Sequence, residues 1–325
     1  MHFLNSFQAA VSAALFSQAD ALVGISPGEG IMPQIKTYEP EFLDLQKEAG
    51  VSAAVARCLS GKRVLLKDPP GFQDMSSRRL PVVCTSRRIH NYSLCIAPAS
   101  AQEAFESVIA AYAVGQDRKV LMPSCIVIDD VLRQTFESVE LVGHMTVRNA
   151  AGELSIDKRH RLLERHDTEG LAQQHKALKN AHSLMHEFSA DWKKKTKSHL
   201  HLVERYHLDD AELAFVSYGS ATSNAKLAVR FLREKQNEKV GLLSLRMMRP
   251  FPDAEVADAL KNVKKIAIVD NAFSLGTWSR LYQEVKTVYG GFALNVLSQF
   301  TSTENFIEIF GQLKTAEKPD RIWNM

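Results

Sequence analysis

The chain has 325 residues, 45% hydrophobic and 24% charged, enough apolar mass for two ordinary domain cores and too much for a disordered chain. Its 40 basic and 37 acidic residues leave a formal charge of +3, so the total implies no cationic surface for nucleic acid. Four cysteines, Cys58, Cys84, Cys95 and Cys125, stand singly with no C-x-x-C pair; they read as buried free thiols in a reducing compartment, and any electron-handling cluster is expected on another chain.

The start, Met1 to Ala21, has an apolar stretch at 11–16 but no Lys/Arg region, and Gln8, Gln18 and Asp20 interrupt it. An amphipathic first helix over 7–18 is expected rather than a secretory signal. No run approaches the roughly 18 apolar residues of a membrane span, so the expected location is the cytoplasm, without a membrane partner.

Ala21 to Ile25 reads as a buried strand that runs into Ser26-Pro27-Gly28-Glu29-Gly30. A helix over 45–59 stops at Ser60-Gly61, and a strand over 63–66 ends at Asp68-Pro69-Pro70-Gly71-Phe72. Strands are expected over 80–85 and 94–97, then a helix from a Ser100 cap to Val114 with Glu103 at the capping-box position, then a strand within 120–128. Alternating strands and helices predict a mainly parallel sheet covered on both faces, here a first domain over 1–140.

Residues 141–207 read as a charged helical connector: from 151 to 207 there are 11 Lys/Arg against 8 Asp/Glu, and nine of the 11 histidines fall between His144 and His207. Leu171, Leu178, Ala181, Met185, Phe188 and Trp192 form one apolar stripe at helical spacing, which must pack on something. His182 and His186 have the i, i+4 spacing of a metal pair without Glu or Cys companions, so no metal site is assigned to this chain. The Lys193-Lys194-Lys195 run suits a solvated helix end.

From 208 to 325 regular alternation returns, with strands at 213–218, 240–245, 265–269 and 292–296 and helices at 221–235, 253–260, 278–288 and 304–313. Continuous apolar strands such as Ile266-Ala267-Ile268-Val269 predict burial on both faces and a second doubly wound domain.

Neither Gly24-x-x-x-Gly28-x-Gly30 nor Ser60-Gly61-Lys62-Arg63 has the spacing of a phosphate-binding loop. Tyr218-Gly219-Ser220 opens a helix that can hold an anion, although a strand-to-helix turn calls for the same residues on steric grounds. Ser26 and the Asp68–Phe72 loop follow strands, where open α/β sheets bind ligands. Glu48 heads a helix rich in small residues (Ala49, Gly50, Ser52, Ala53), where a carboxylate also complements the helix dipole.

The run Asp209-Asp210-Ala211-Glu212-Leu213, Val216-Ser217-Tyr218-Gly219-Ser220, Lys239 to Leu243, Leu245-Arg246-Met247-Met248-Arg249-Pro250-Phe251-Pro252 and Asp270-Asn271-Ala272-Phe273-Ser274-Leu275-Gly276 resembles the alpha subunit of 2-oxoacid:ferredoxin oxidoreductases, of which the pyruvate enzyme is one. In the first half Ile25-Ser26-Pro27 is similar to that family's Y-P-I-T-P turn with Ser for Thr, and Glu48-Ala49-Gly50 to its S-E-A-G helix start. Pro70-Gly71-Phe72 with Met75 is similar to G-P-G-F-x-x-M, and Ile96 to Phe105 to A-P-S-S-V-Q-E-A-F. The resemblance implies a thiamine-pyrimidine-binding-like domain and a transketolase C-terminal-like domain.

It also implies thiamine diphosphate shared with a beta subunit that binds the diphosphate, with Mg2+ and iron–sulfur clusters on partner chains, gamma and ferredoxin-like delta subunits among them. Pyruvate or another 2-oxoacid, coenzyme A and ferredoxin are the implied reactants. Glu48 would hydrogen-bond the aminopyrimidine, facing a crevice that the second polypeptide completes. Ser26 and Arg88, or else Arg87, would bind substrate, and Pro27, Gly71 and Phe72 would line the cofactor. Only Ser76-Ser77-Arg78 separates Met75 from Arg79, and only a few residues separate Arg88 from Leu94, where the family carries longer segments. A catalytically degenerate scaffold subunit is therefore the alternative expectation.

Overall fold

A computed structural model of the chain describes residues 2–25, 40–45, 47–154, 167–272, 276–298 and 301–324. They form two compact units, Met1–His201 with Met248–Pro250, and Leu202–Met247 with Phe251–Met325. The expected division into 1–140, 141–207 and 208–325 thus becomes twofold, because the connector up to His201 is part of the first unit.

The first unit opens with strand β1 (His2–Leu4), helix α1 (Ser6–Phe16) and strand β2 (Ala21–Val23). Asn5 caps α1 by accepting from the Gln8 N–H at 2.8 Å, while the Gln8 side chain accepts from the Asn5 N–H at 3.2 Å. The expected amphipathic helix is instead buried nearly all round, with Ala9, Ala10, Val11, Ala13 and Ala14 fully inaccessible; its small residues let it lie flush in the core. Next come β3 (Glu41–Leu43), α2 (Lys47–Leu59), β4 (Val64–Lys67), the single-turn α3 (Gln73–Ser77), β5 (Val83–Ser86) and β6 (Leu94–Ile96).

Helix α4 (Ala101–Gly115) has the predicted Ser100 cap, which accepts from the Glu103 N–H at 3.1 Å. The Glu103 carboxylate reaches the Ala99 N–H at 2.7 Å, one residue earlier than a capping box requires. β7 (Ser124–Val127), α5 (Asp130–Gln134), β8 (Glu137–Val139), α6 (His144–Ala151) and α7 (Thr168–Thr196) follow. Of the predicted stripe on α7, Ala181, Met185 and Trp192 are buried, whereas Leu171 is 48% exposed at the first turn.

The second unit contains β9 (Val203–Tyr206), β10 (Leu213–Tyr218), α8 (Ala221–Gln236) and β11 (Val240–Leu245). β12 (Met247–Arg249) leads out of it and adds a strand beside β6 to the first unit's sheet. α9 (Asp253–Leu260), β13 (Lys265–Asp270), α10 (Arg280–Val288), β14 (Phe292–Ser298), α11 (Thr303–Thr315) and β15 (Arg321–Asn324) complete the chain. Phe215, Val229, Leu232, Leu242, Val296, Phe306 and Phe310 share one core cluster between the sheet and its helices.

The sheet orders are β12-β6-β7-β5-β4-β2-β3 in the first unit and β15-β14-β13-β10-β11-β9 in the second. β2, β3, β4, β5, β6 and β7 pair in parallel in the first, and in the second only β9 against β11 runs antiparallel. Both units are therefore doubly wound α/β layers, as predicted. Cys84, Cys125 and Cys95 stand in register on the neighbouring strands β5, β7 and β6, and these three and Cys58 are buried free thiols. No helix among the described residues is long and apolar enough to cross a membrane.

Candidate functional site

From β2 the first unit's chain steps to β3 on one side and then returns to β4 on the other, so the strand order reverses between β2 and β4. A crevice opens at the carboxyl ends of strands beside such a reversal. The segments that enter it are Gly24-Ile25 after β2, the start of α2 after β3, Asp68 to Phe72 after β4 and Arg87 onwards after β5.

Gly24 has φ of +70°, and a Cβ there would lie 3.2 Å from the Leu45 carbonyl oxygen. At Gly50 a Cβ would lie 2.7 Å from the same oxygen. The backbone before α2 is thus seated against two glycines, and the head of the helix, with Glu48, is drawn close to the end of β2. Glu48 is exposed, and its carboxylate makes no hydrogen bond or ion pair with another described residue.

Asp68, at φ of +45°, accepts from Arg133 at 2.8 Å and from Arg87 at 3.1 Å. Arg87 also donates to Asp130 at 2.6 Å, and Arg133 donates to the Ile128 carbonyl at 3.0 Å. The loops after β4, β5 and β7 are tied into one network. Arg87 is therefore engaged by two carboxylates, while the exposed Arg88 has no ion pair among the described residues.

The Arg88 backbone is fixed at both polar groups: its N–H donates to Ser86 Oγ at 3.2 Å, and its carbonyl accepts from Cys125 Sγ at 3.7 Å. Ser86 Oγ is also hydrogen-bonded to His90 Nε2 at 3.0 Å. The His90 ring lies on Phe72 with centroids 4.3 Å apart. Burial, and then the charge of Arg88, push the His90 imidazole below its ordinary pKa, which keeps it neutral at neutral pH.

Of the residues expected at the site, Glu48, Arg88, Gly71 and Phe72 lie at these strand ends, whereas Ser26 and Pro27 fall outside the described residues. Gly71 is exposed with open space around it. Phe72 is only 2% exposed and packs against His90. Sequence reasoning placed Asp68 in a loop at a strand end but did not find its partner Arg133, nor Ser86 or His90: the Asp68–Arg133 pair spans 65 residues and no motif links its ends. The His182 and His186 rings on α7 are 4.9 Å apart, as their spacing requires.

In the second unit the order reverses between β10 and β13, and Tyr218, Ser220, Asn271, Ser298 and Thr301 line a cavity of about 20 Å³ there. That is room for roughly one water. Asp270 is 1% exposed and accepts from Tyr218 Oη at 3.0 Å and from the N–H groups of Ala272 and Leu281 at 2.9 and 3.1 Å. Burial nevertheless pushes its carboxyl above the ordinary value. The Tyr218 and Asp270-Asn271 parts of the motif thus build an internal joint; Phe273, Ser274 and Leu275 fall outside the described residues.

Residues 211–303 match the family described as pyruvate:ferredoxin oxidoreductase core domain II. The chain is 29% identical over 206 residues to pyruvate synthase subunit PorA of Methanothermobacter thermautotrophicus, covering 58% of this chain and 52% of that one. It is 30% identical over 208 residues to the alpha subunit of NADH-dependent phenylglyoxylate dehydrogenase of Aromatoleum evansii, covering 57% and 49%. The chain spans about half the length of these curated relatives. Among solved structures, the 2-oxoglutarate:ferredoxin oxidoreductase of Magnetococcus marinus superposes with a TM-score of 0.70 at 8% identity, over 96% of this chain and 65% of that one. A split-gene transketolase gives 0.57 at 10% identity, over 96% and 98%. The resemblance to the alpha subunit of 2-oxoacid:ferredoxin oxidoreductases stands, and the two-unit α/β fold agrees with these structures.

Proposed function

We propose that this chain is the alpha subunit of a cytoplasmic 2-oxoacid:ferredoxin oxidoreductase, with pyruvate as its 2-oxoacid. It acts only in complex, and converts the 2-oxoacid to an acyl-coenzyme A while electrons pass to ferredoxin. The observation that carries this reading is the match of residues 211–303 to the pyruvate:ferredoxin oxidoreductase core domain. Glu48 at the end of β2 is exposed and has no side-chain partner among the described residues, so the reading requires a second chain to cover it.

Glu48 and Gly71 fit one side of thiamine diphosphate on chemical grounds, an acceptor and an unobstructed backbone, while the buried Phe72 ring does not offer itself for contact. When bound, thiamine diphosphate supplies the carbon nucleophile needed to decarboxylate a 2-oxoacid. Glu48 accepts a hydrogen bond from its pyrimidine and favours the tautomer that takes up a proton. Arg88, which has no ion pair among the described residues, pairs with the carboxylate of the 2-oxoacid, and the Ser26 hydroxyl bonds the substrate oxygen. The beta subunit holds the diphosphate and Mg2+, the beta or a ferredoxin-like delta chain carries the iron–sulfur clusters, and a gamma chain completes the assembly.

The test is turnover of pyruvate with coenzyme A and ferredoxin by the complex reconstituted from this chain and its partner chains. Glu48→Gln is expected to lower kcat by roughly 10²- to 10⁴-fold, the range of a lost general acid–base group. Undiminished turnover would remove Glu48 from the chemistry.

A further inference from the structure

We propose that His90 is a positioning residue that pins the two loops of the candidate site to each other and so sets the place of Arg88. The inference rests on the functional reading above only in what Arg88 binds; the pinning itself is a property of this chain.

The loop after β4 ends in Phe72, and the loop after β5 carries Arg88. β4 and β5 pair as far as Lys67 and Thr85, the Asp68 N–H donates to the Thr85 carbonyl at 2.8 Å, and beyond that point the Arg87–Asp68 pair at 3.1 Å is one link between the loops. His90 bridges them by two different interactions. Its ring packs against the buried Phe72, with centroids 4.3 Å apart and planes inclined by 41°. Its Nε2 meets Ser86 Oγ at 3.0 Å, the same oxygen that accepts the Arg88 N–H at 3.2 Å.

A serine hydroxyl has one proton and two lone pairs, so it can hold both partners at once. Ser86 is therefore a node: one arm fixes the backbone of Arg88, the other fixes the imidazole that packs on Phe72. A third anchor, Cys125 Sγ to the Arg88 carbonyl at 3.7 Å, is weak and acts on the same residue. The loop from 87 to 93 is short, and Arg88 is exposed with a long side chain that pairs with no carboxylate among the described residues. The backbone beneath its guanidinium is held by Ser86 and Cys125, and His90 joins that support to Phe72 in the loop after β4, alongside the link that Arg87 makes to Asp68. A displacement of even about 1 Å at such a group is enough to cost on the order of 10²-fold in a bound reactant's geometry.

The experiment has two arms. In the full chain, hydrogen exchange of the amides over 68–72 and 86–93 is compared between wild type, His90→Ala, His90→Phe and His90→Gln. His90→Ala is expected to speed exchange in both loops by about tenfold or more, since local opening is governed by exactly such few contacts. His90→Phe keeps a ring on Phe72 and is expected to protect 68–72 while loosening 86–93. His90→Gln, whose amide nitrogen reaches close to the imidazole Nε2, restores 86–93 in part.

In the reconstituted complex, the KM for pyruvate is expected to rise about tenfold in His90→Ala with kcat within about threefold, the pattern of lost uniform binding, and His90→Gln is expected to recover part of it. Exchange in His90→Ala equal to wild type overturns the proposal, and so does faster exchange with an unaltered KM. If the wild-type complex turns over no 2-oxoacid, the functional reading fails, and the exchange arm still decides whether His90 pins the loops.

Discussion

Asp270 in the second unit and Glu48 in the first both stand at carboxyl ends of parallel strands, and their surroundings are opposite. Asp270 is buried and takes its hydrogen bonds from Tyr218, Ala272 and Leu281, all within its own unit. Glu48 is exposed and takes none from any described residue. A buried charge without partners is very costly, so Asp270 needs its ring of donors for the fold to form at all. An exposed acid on a helix start costs almost nothing and is available to a ligand or a second chain. The contrast teaches that the part of the sequence most easily matched to a family is a structural joint, while the part proposed to do chemistry is locally undemanding.

Asp270→Ala should show the largest effect on stability. It leaves the N–H groups of Ala272 and Leu281 without their acceptor in the interior, removes one of the two acceptors of the Tyr218 hydroxyl, and should lower unfolding free energy by about 3 kcal/mol in urea titration. A loss under about 1 kcal/mol would erase the distinction drawn between the two acids.

Glu106 on α4 sharpens it, being a second internal acid, this time in the first unit: it is 2% exposed, accepts from the Gln102 amide at 3.1 Å, and burial pushes its carboxyl above the ordinary range. A raised folded pKa means that its contribution to stability is complete below the unfolded value of about 4.3 and is lost as pH rises through the folded one. Glu106→Gln, which stays neutral, should therefore match wild type in acid and gain on it as pH rises towards 7. Chemical denaturation at several pH values reads this directly, and a gap that narrows with rising pH would contradict it.

Asp68→Asn should cost about 1 kcal/mol, since Arg133 and Arg87 lose a common charged acceptor only partly removed from water, and thermal unfolding measures it. The smallest effect belongs to Glu48→Gln, whose stability should lie within about 0.5 kcal/mol of wild type even where its turnover collapses. A larger drop would mean that Glu48 is another joint.

Much of the fold was legible because parallel strands covered on both faces leave continuous apolar runs, as in β10, β11 and β13. β9 and β15 escaped notice because they are four-residue edge strands, and β9 reads Val-Glu-Arg-Tyr with no apolar face. The character of α1 was misjudged because three polar residues in the stretch suggested a wet face, while Ser6 and Ser12 proved able to sit inside at 1% and 0% exposure. At the candidate site, sequence order named segments that the fold puts at the ends of β2, β4 and β5. The pairings that build it, Asp68 with Arg133 and Phe72 with His90, depend on which loops the sheet order brings side by side, and that order is set by packing over the whole unit.

The four sealed cysteines have a practical consequence. Each is at most 1% exposed, and burial drives the Cys84 and Cys125 thiols well above the range where a thiolate forms. The folded chain is thus a silent background for maleimide chemistry. One thiol introduced at the open position of Gly71 would take a fluorophore or a crosslinker alone, and so report which neighbour settles over the candidate site.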